Sequence, residues 1–167
     1  MTIGSLSGVT VFAADASTDE NVEMADASDV DGTTITFWHS MGGVNGEAID
    51  TLVKKFNDEN EYGITVDAQY QGEYDDSLNK LKSAQIGNMG ADLVQVYEIG
   101  TRFMIDSGWI VPMQQMIDTD SYDVSEIEPN LAAYYTIDNE LYSMPFNSST
   151  PIMYYNKDMF DKAGITE

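Results

Sequence analysis

Apolar and polar residues recur with two different periods along most of the chain. Residues 33–38, 64–70 and 91–97 are short runs rich in β-branched and aromatic residues, which predicts three strands. The third run is apolar at nearly every position, as in a strand buried on both faces. Residues 44–60 and 75–87 carry apolar residues at helical spacing. This order of strand, helix, strand, helix and strand predicts an α/β fold with a parallel sheet.

The two predicted helices each have an apolar face. In the first helix that face comprises Val44, Ala48, Ile49, Leu52, Val53 and Phe56. In the second helix Leu78, Leu81 and Gln85 are in line, and Gly87 follows where a glycine commonly ends a helix. We therefore expect both helices to pack against the sheet.

Shorter elements are predicted beyond the third strand. A short helix precedes Gly108, and residues 110–135 give helical or irregular pieces. A hairpin is predicted to turn at Asp138 and Asn139. Residues 151–155 form another apolar run, which predicts a strand, and Asn156 is placed to cap a following helix.

The first 32 residues differ in character from the rest. Residues 1–16 include a weakly apolar stretch with small residues at Val11 and Ala13, and we interpret them as the remnant of an export signal. No Lys or Arg precedes that stretch, so a disordered leader is the alternative. Residues 17–32 are acidic and poorly apolar, which predicts a disordered linker.

Charge limits the possible partners. The chain has 29 acidic and 7 basic residues and a net charge of −22. A duplex or an anionic membrane would repel such a surface, so neither nucleic acid nor an anionic membrane is an expected partner. The absence of cysteine excludes disulfides and thiolate chemistry.

The carboxyl ends of the three predicted strands define a candidate site. Ligands of parallel sheets bind beyond those ends. Trp38, His39 and Ser40 follow the first strand, Tyr74 follows the second and Glu98 follows the third. Aromatic faces pack on the C–H surface of sugars, and carboxylates accept from their hydroxyls, so the set suits a polyol or sugar.

Each of these residues also has a purely structural interpretation. His39 is the only histidine, so a hydrogen-bonded structural role is favoured over a metal ligand. A tryptophan at the end of a strand is more often a core residue than a ligand contact, so a core position is the alternative for Trp38. Residues 147–149 form a polar triplet between two prolines, with a structural turn as the alternative to a binding role. For Glu98 and Tyr74 both interpretations stay open.

Sequence motifs for catalysis are missing. The chain has no nucleophile elbow, phosphate-binding loop, zinc-protease motif or dinucleotide fingerprint. A suitably spaced carboxylate pair carries no information among so many acidic residues. We predict no catalytic residue, no metal site and no cofactor.

Four motifs carry a resemblance to a known family. "FWHSMGG", "YQGEYDDSL", "QVYEIGT" and "PFNSSTPIMYYNKDMFDKAG" resemble segments of the extracellular solute-binding proteins (family 1) of ABC importers, in the branch of sn-glycerol-3-phosphate-binding proteins. The resemblance runs from Thr34 to the end of the chain. It implies that Tyr74, Glu98 and Ser149 contact the ligand and that Trp38, His39 and Ser40 line the cleft less directly.

The resemblance also implies an architecture and a function. Residues 33–149 would form an incomplete first lobe of a type II periplasmic-binding-protein-like fold, and residues 150–167 the crossover and the start of a second lobe. The protein would be exported to the periplasm or cell surface as a substrate-binding subunit. There it would capture a carbohydrate or glycerol-3-phosphate-type solute and deliver it to an ABC permease. A secreted carbohydrate-active enzyme or adhesin domain is the alternative.

The basic residues do not decide whether the solute carries a phosphate group. Arg102 and Lys157 are the nearest basic candidates in sequence. A neutral sugar, an oligosaccharide or a glycerophosphodiester is therefore as plausible a solute as glycerol-3-phosphate.

Overall fold

A three-stranded parallel sheet lies at the centre of the structure, a computed structural model that describes residues 25–87 and 89–165. Its strands are β1 (Thr34–His39), β2 (Thr65–Tyr70) and β3 (Leu93–Val94), in the order β2-β1-β3. β1 pairs with β2 along its whole length, and with β3 through two residue pairs only. The predicted α/β fold with a parallel sheet is confirmed.

Helices connect and flank these strands. Their bounds are α1 (Ala27–Val30), α2 (Gly43–Glu59), α3 (Tyr74–Ile86), α4 (Thr101–Ser107), α5 (Met113–Asp120), α6 (Pro129–Tyr134) and α7 (Lys157–Ala163), and a 3₁₀ turn at Glu98–Gly100 leads into α4. A two-stranded antiparallel hairpin consists of β4 (Thr136–Ile137) and β5 (Glu140–Leu141). None of the helices described here is long and apolar enough to cross a bilayer.

The strand order places α2 and α3 on opposite faces of the sheet. α2 connects β1 to β2, and α3 connects β2 to β3. In the sheet, β2 and β3 lie on opposite sides of β1. Since parallel crossovers are right-handed, the two helices must cover different faces. Both helices nevertheless begin at the same edge, beyond the carboxyl ends of the strands, where ligands bind in such folds.

The core is small and draws on most of the elements. Its buried apolar side chains are Phe37, Ile49, Leu81, Ala91, Met104, Ile117 and Leu141. Leu81 on α3 is 1% exposed and is among the most completely enclosed of them. Leu81 is therefore the apolar side chain that anchors α3 in the core.

The apolar face of α2 is less buried than predicted. Ile49 is 7% exposed, but Val44 is 80%, Leu52 61% and Phe56 41% exposed. Asn57 ties α2 to β2 by hydrogen bonds to both the N–H and the carbonyl of Val66. The sheet covers only the part of the face near Ile49, and no other described element covers the rest.

The third strand is much shorter than the predicted 91–97. The backbone N–H of Thr36 donates to the Asp92 side chain at 2.9 Å rather than to a strand carbonyl. The pairing between β1 and β3 therefore begins only at Leu93. Leu93 is 51% exposed, so β3 is not buried on both faces as its composition indicated. Apolar composition alone did not show that a side chain would replace the backbone in the pairing.

Local signals in the second half of the chain were correct. Asp138 and Asn139 have φ of 53° and 69°, the left-handed conformation of a tight hairpin turn. Gly108 ends α4 with φ of 65°. Asn156 caps α7 by accepting from the Met159 N–H at 3.0 Å. Gly87 does follow the end of α3, although its φ of −99° is not left-handed.

Two predictions near the ends of the described chain differ from the structure. Residues 151–155 do not form a strand: a strand needs a ladder of backbone hydrogen bonds, and neither of the two described sheets includes this segment. Within the predicted linker 17–32, α1 forms a helical turn, and Gly32 N–H donates to Gly63 O at 3.1 Å. The predicted export signal at residues 1–16 lies outside the described residues.

Removing the buried side chain of Leu81 tests this account of the core. Leu81→Ala should lower the free energy of unfolding by about 2–4 kcal/mol, because it removes apolar contacts and leaves a cavity. Ile86→Ala, a control on the same helix where the side chain is 91% exposed, should change it by less than about 0.5 kcal/mol. Urea unfolding followed by circular dichroism measures both values. Equal effects would show that α3 is not anchored through Leu81.

Candidate functional site

The ends of the three parallel strands are joined at one edge of the sheet. The N–H of Gln71, after β2, donates to His39 O at 2.9 Å, and the N–H of Gln95, after β3, donates to Trp38 O at 2.9 Å. The N–H of Ser40, after β1, donates to the side-chain oxygen of Gln95 at 2.8 Å. The segments that follow the strands are thus brought together, as the strand order requires.

A stacked tyrosine pair lies at this edge. The rings of Tyr74, the first residue of α3, and Tyr97 are parallel to within 5°, with centroids 5.5 Å apart. The Tyr97 hydroxyl donates to the Asp75 carboxylate at 2.5 Å. This hydrogen bond is the main reason that the pKa of Tyr97 is raised above its ordinary value. The pair presents a fixed, partly exposed aromatic surface.

A chain of side-chain amides connects the strand ends to Tyr74. Gln95, which is 8% exposed, donates through Nε2 to Asn147 Oδ1 at 2.6 Å. Asn147 in turn donates through Nδ2 to the Tyr74 hydroxyl oxygen at 3.0 Å. We call Ser40, Gln95, Asn147 and Tyr74 the polar relay. It ties residues from four separate parts of the chain to one another.

Glu98 and Ser149 are each close in sequence to a residue of the stacked tyrosine pair or of the polar relay. Glu98 directly follows Tyr97 and begins the 3₁₀ turn. Its side chain is exposed and makes no hydrogen bond or ion pair within 25–87 and 89–165. Ser149, also exposed, comes two residues after Asn147. The structure therefore joins the chain segments that carry Tyr74, Glu98 and Ser149.

Trp38 occupies a different position from the two residues after it. Phe37 and His39 have ring centroids 5.5 Å apart and share one face of β1. Because successive strand side chains alternate, Trp38 lies on the other face, where its Nε1 donates to Gln69 at 3.2 Å. The indole is partly buried, so it lines the sheet surface near the edge rather than projecting freely.

His39 and Ser40 lie below the surface. His39 is 3% exposed, its ring lies 6.0 Å from that of Tyr70, and its Nδ1 accepts from the Met41 N–H at 3.3 Å. Ser40 is 9% exposed. Its Oγ has no hydrogen-bond partner in the described part of the chain, and its N–H starts the polar relay. Both residues support the edge of the sheet from beneath instead of offering side chains to solvent.

The two cations nearest in sequence have carboxylate partners. Arg102 pairs with Asp106 on α4, and Lys157 pairs with Asp161 on α7 at 3.6 Å. All four side chains are more than half exposed, so these pairs are weak and screened by solvent. Among the residues with described positions, no group of three or more His, Asp or Glu side chains could hold a metal ion.

The sequence analysis did not predict three residues of the relay and the stacked pair, Gln95, Asn147 and Tyr97, as site residues. Gln95 carried one signal, since it is an amide within an otherwise apolar run. Asn147 belonged to the polar triplet, but its contact with Tyr74, 73 residues away in sequence, had no sequence signal. Tyr97 was placed beyond the third strand, but the spacing of residues did not reveal that it stacks on Tyr74.

Comparison with known proteins identifies the class. Residues 51–167 match the family model described as bacterial extracellular solute-binding protein. The chain therefore belongs to this family of extracellular solute-binding proteins.

Within this family, the chain is similar to individual curated proteins. The chain is 42% identical over 139 residues to the sn-glycerol-3-phosphate-binding periplasmic protein UgpB of Salmonella typhimurium, covering 80% of this chain and 31% of that protein. The Escherichia coli UgpB gives the same identity and coverage. The chain thus spans about a third of the length of the curated relatives it matches.

Solved structures agree with the fold. UgpB from Mycobacterium tuberculosis in complex with glycerophosphocholine matches with a TM-score of 0.67 and 27% identity, covering 80% of this chain and 34% of that one. A substrate-binding protein from Listeria monocytogenes in complex with cycloalternan matches with a TM-score of 0.56 and 23% identity, covering 81% and 34%. The second likeness concerns the fold alone.

Burial of His39 makes stability depend on pH. Desolvation lowers the pKa of His39 below its ordinary value of 6.5, and the Asp50 charge opposes the shift without reversing it. The unfolded chain therefore binds more protons than the native one once the pH falls through 6.5. The free energy of unfolding should decrease between about pH 7.5 and 5.5. Urea unfolding across this range measures the decrease.

His39→Gln is the matched variant for that experiment, since its amide can still accept from Met41 and does not titrate. Its stability profile should be flatter over the same range. Because the chain has one histidine, NMR titration of the imidazole reports this pKa directly. A native-state pKa at or above 6.5 would contradict the assignment.

Proposed function

We propose that the chain is part of the substrate-binding subunit of an ABC importer, and that the sheet edge described above forms one side of its solute site. The main support is the exposed Glu98 carboxylate, which has no hydrogen-bond or ion-pair partner among residues 25–87 and 89–165 and directly follows Tyr97 of the stacked pair, in a chain 42% identical to an sn-glycerol-3-phosphate-binding protein. An aromatic surface beside a free carboxylate suits a polyol or sugar.

Each residue has a proposed role. Glu98 accepts hydrogen bonds from solute hydroxyls, Tyr74 stacks and hydrogen-bonds, and Ser149 donates from a position just before the crossover. Trp38 lines the neighbouring surface. Because His39 and Ser40 are buried, their proposed role is to hold the strand end in place beneath the solute. The activity is binding without catalysis.

The charge distribution bears on the class of solute. The net charge is −22, and Arg102 and Lys157 already have carboxylate partners. Neither of these two cations is therefore a dedicated partner for a phosphate group. The proposed solute is a glycerol phosphate or a glycerophosphodiester, the classes that the names of its relatives include, or a carbohydrate, which the aromatic surface also suits.

The proposed organisation follows the relatives. Residues 33–149 form most of a first lobe, and residues 150–167 the crossover towards a second. The protein is exported and, on closing around its solute, docks on the transmembrane permease. Hinged closure of two lobes is a common way to enclose a small molecule.

Glu98→Ala tests the proposed site in the full-length product of the gene. Removing the carboxylate should raise the dissociation constant for sn-glycerol-3-phosphate or glycerophosphocholine by about ten- to a hundredfold, because charge-assisted hydrogen bonds are lost. The melting temperature without solute should stay within about 2 °C, since the side chain is exposed. Isothermal calorimetry and thermal unfolding measure the two quantities.

Glu126→Ala is the matched control, an equally charge-changing substitution at an exposed position outside the site. It should leave the dissociation constant unchanged. Unaltered binding by Glu98→Ala would count against the proposed function.

The isolated segment 33–167 should bind the same solutes with dissociation constants above about 1 mM, because a one-sided site buries too little of a ligand. Calorimetry or ligand-observed NMR checks this. Submillimolar binding would show that the second lobe contributes little.

A further inference from the structure

The polar relay has a fixed direction. Its first member is the backbone N–H of Ser40, which can only donate, and it meets Gln95 Oε1 at 2.8 Å. The Gln95 amide must therefore direct Nε2 towards Asn147, whose Oδ1 accepts at 2.6 Å. Asn147 is oriented in the same way and donates through Nδ2 to the Tyr74 oxygen at 3.0 Å. The orientation of both amides thus follows from one backbone group.

Burial protects the start of this relay from exchange with water. Ser40 is 9% exposed and Gln95 is 8% exposed. If the Gln95 amide turned over, its Nε2 would face the Ser40 N–H, and two donors would meet in a buried place. An unsatisfied buried donor is costly, so the observed orientation is strongly preferred.

The relay leaves one proton unused at its exposed end. The Tyr74 hydroxyl already accepts from Asn147, and its own proton has no acceptor within 25–87 and 89–165. Tyr97, stacked on the same ring, differs because its proton is donated to Asp75. With respect to the described residues, the Tyr74 hydroxyl therefore still has a proton to donate, whereas the Tyr97 hydroxyl does not.

We infer that Gln95 and Asn147 are positioning residues that make Tyr74 a hydrogen-bond donor to an acceptor oxygen of the solute. This rests on the proposed function, in which Tyr74 touches the solute. Glu98, a carboxylate, can only accept, so it takes the hydroxyls. A donor and an acceptor together select a solute that carries both an acceptor oxygen group, such as a phosphoester, and free hydroxyls.

Gln95→Glu, in the full-length product of the gene, reverses the relay without touching the solute. The introduced carboxylate accepts from the Ser40 N–H and also from Asn147 Nδ2. The Asn147 amide then turns over, and its Oδ1 takes the Tyr74 proton. Binding of sn-glycerol-3-phosphate should weaken by about ten- to a hundredfold, as in Tyr74→Phe. The double variant should be no weaker than either single variant.

Two controls separate this effect from charge and misfolding. Gln85→Glu makes the same change of amide to carboxylate at the opposite end of α3 from Tyr74, away from the strand ends and outside the relay, and should bind like the unsubstituted protein. Asn147→Asp reverses the last hydrogen bond at an exposed position, so it gives the expected loss even if Gln95→Glu does not fold. All affinities are measured by calorimetry and each variant's fold by circular dichroism.

A pH profile adds a readout that a purely structural role would not change. When the carboxylate introduced by Gln95→Glu is protonated, it can again donate to Asn147 Oδ1. The affinity of this variant, relative to the unsubstituted protein at each pH, should recover as the pH falls.

Two results would overturn the inference: losses in Gln95→Glu and Tyr74→Phe that multiply in the double variant, or binding by Gln95→Glu equal to that of the unsubstituted protein. If Glu98→Ala weakens binding and Tyr74→Phe does not, the inference fails and the proposed function stands. If Glu98→Ala changes nothing, the proposed function fails and the inference fails with it.

Discussion

The parallel pairing of β1 between β2 and β3 is the constraint on which the rest of the lobe depends. It aligns the carboxyl ends of three strands at one edge, and it puts α2 and α3 on opposite faces while both begin at that edge. The backbone hydrogen bonds from Gln71 and Gln95 to β1 continue this alignment past the last paired residues. The position of Tyr74 follows, because it is the first residue of α3.

Burial of a polar group is what makes the edge specific. Gln95 is an amide in a largely apolar run, and a buried amide must satisfy both its ends. The Ser40 N–H satisfies one end and Asn147 the other, so the requirement for hydrogen bonding also holds the segment that contains Asn147 against Tyr74. The hydrogen bonds that satisfy the buried Gln95 amide therefore also position the Tyr74 side chain at the surface.

The lobe forms one side of a proposed enclosure. Its exposed carboxylate and stacked rings can bind the face of a polyol, but enclosing a small hydrophilic molecule needs groups on its other side as well. The apolar side chains left exposed on α2 and along residues 151–155 show that the core of this part is small for its length. In the proposed two-lobe organisation, affinity and stability therefore both depend on the second lobe; the match to this chain covers 31% of a curated relative.

The local elements and the class of fold were predictable from the order of residues along the chain. Helical and strand periodicity located β1, α2, β2 and α3, and turn residues such as Asp138 and Asn139 identified the hairpin, because these features depend on near neighbours. The motifs around Tyr74 and Glu98 indicated the family, and the strand order predicted a shared edge. The length over which each strand pairs was not predictable in this way, because the Asp92 side chain takes the place of a backbone partner of β1 in the folded chain.

Tertiary structure also decided which residues reach the surface. The spacing of residues could not show that His39 and Ser40 are buried, that Tyr97 stacks on Tyr74, or that Asn147 bonds to it across 73 positions. Such contacts arise because distant segments compete for the same space and the same hydrogen-bonding groups, and that competition takes place only once the chain is folded.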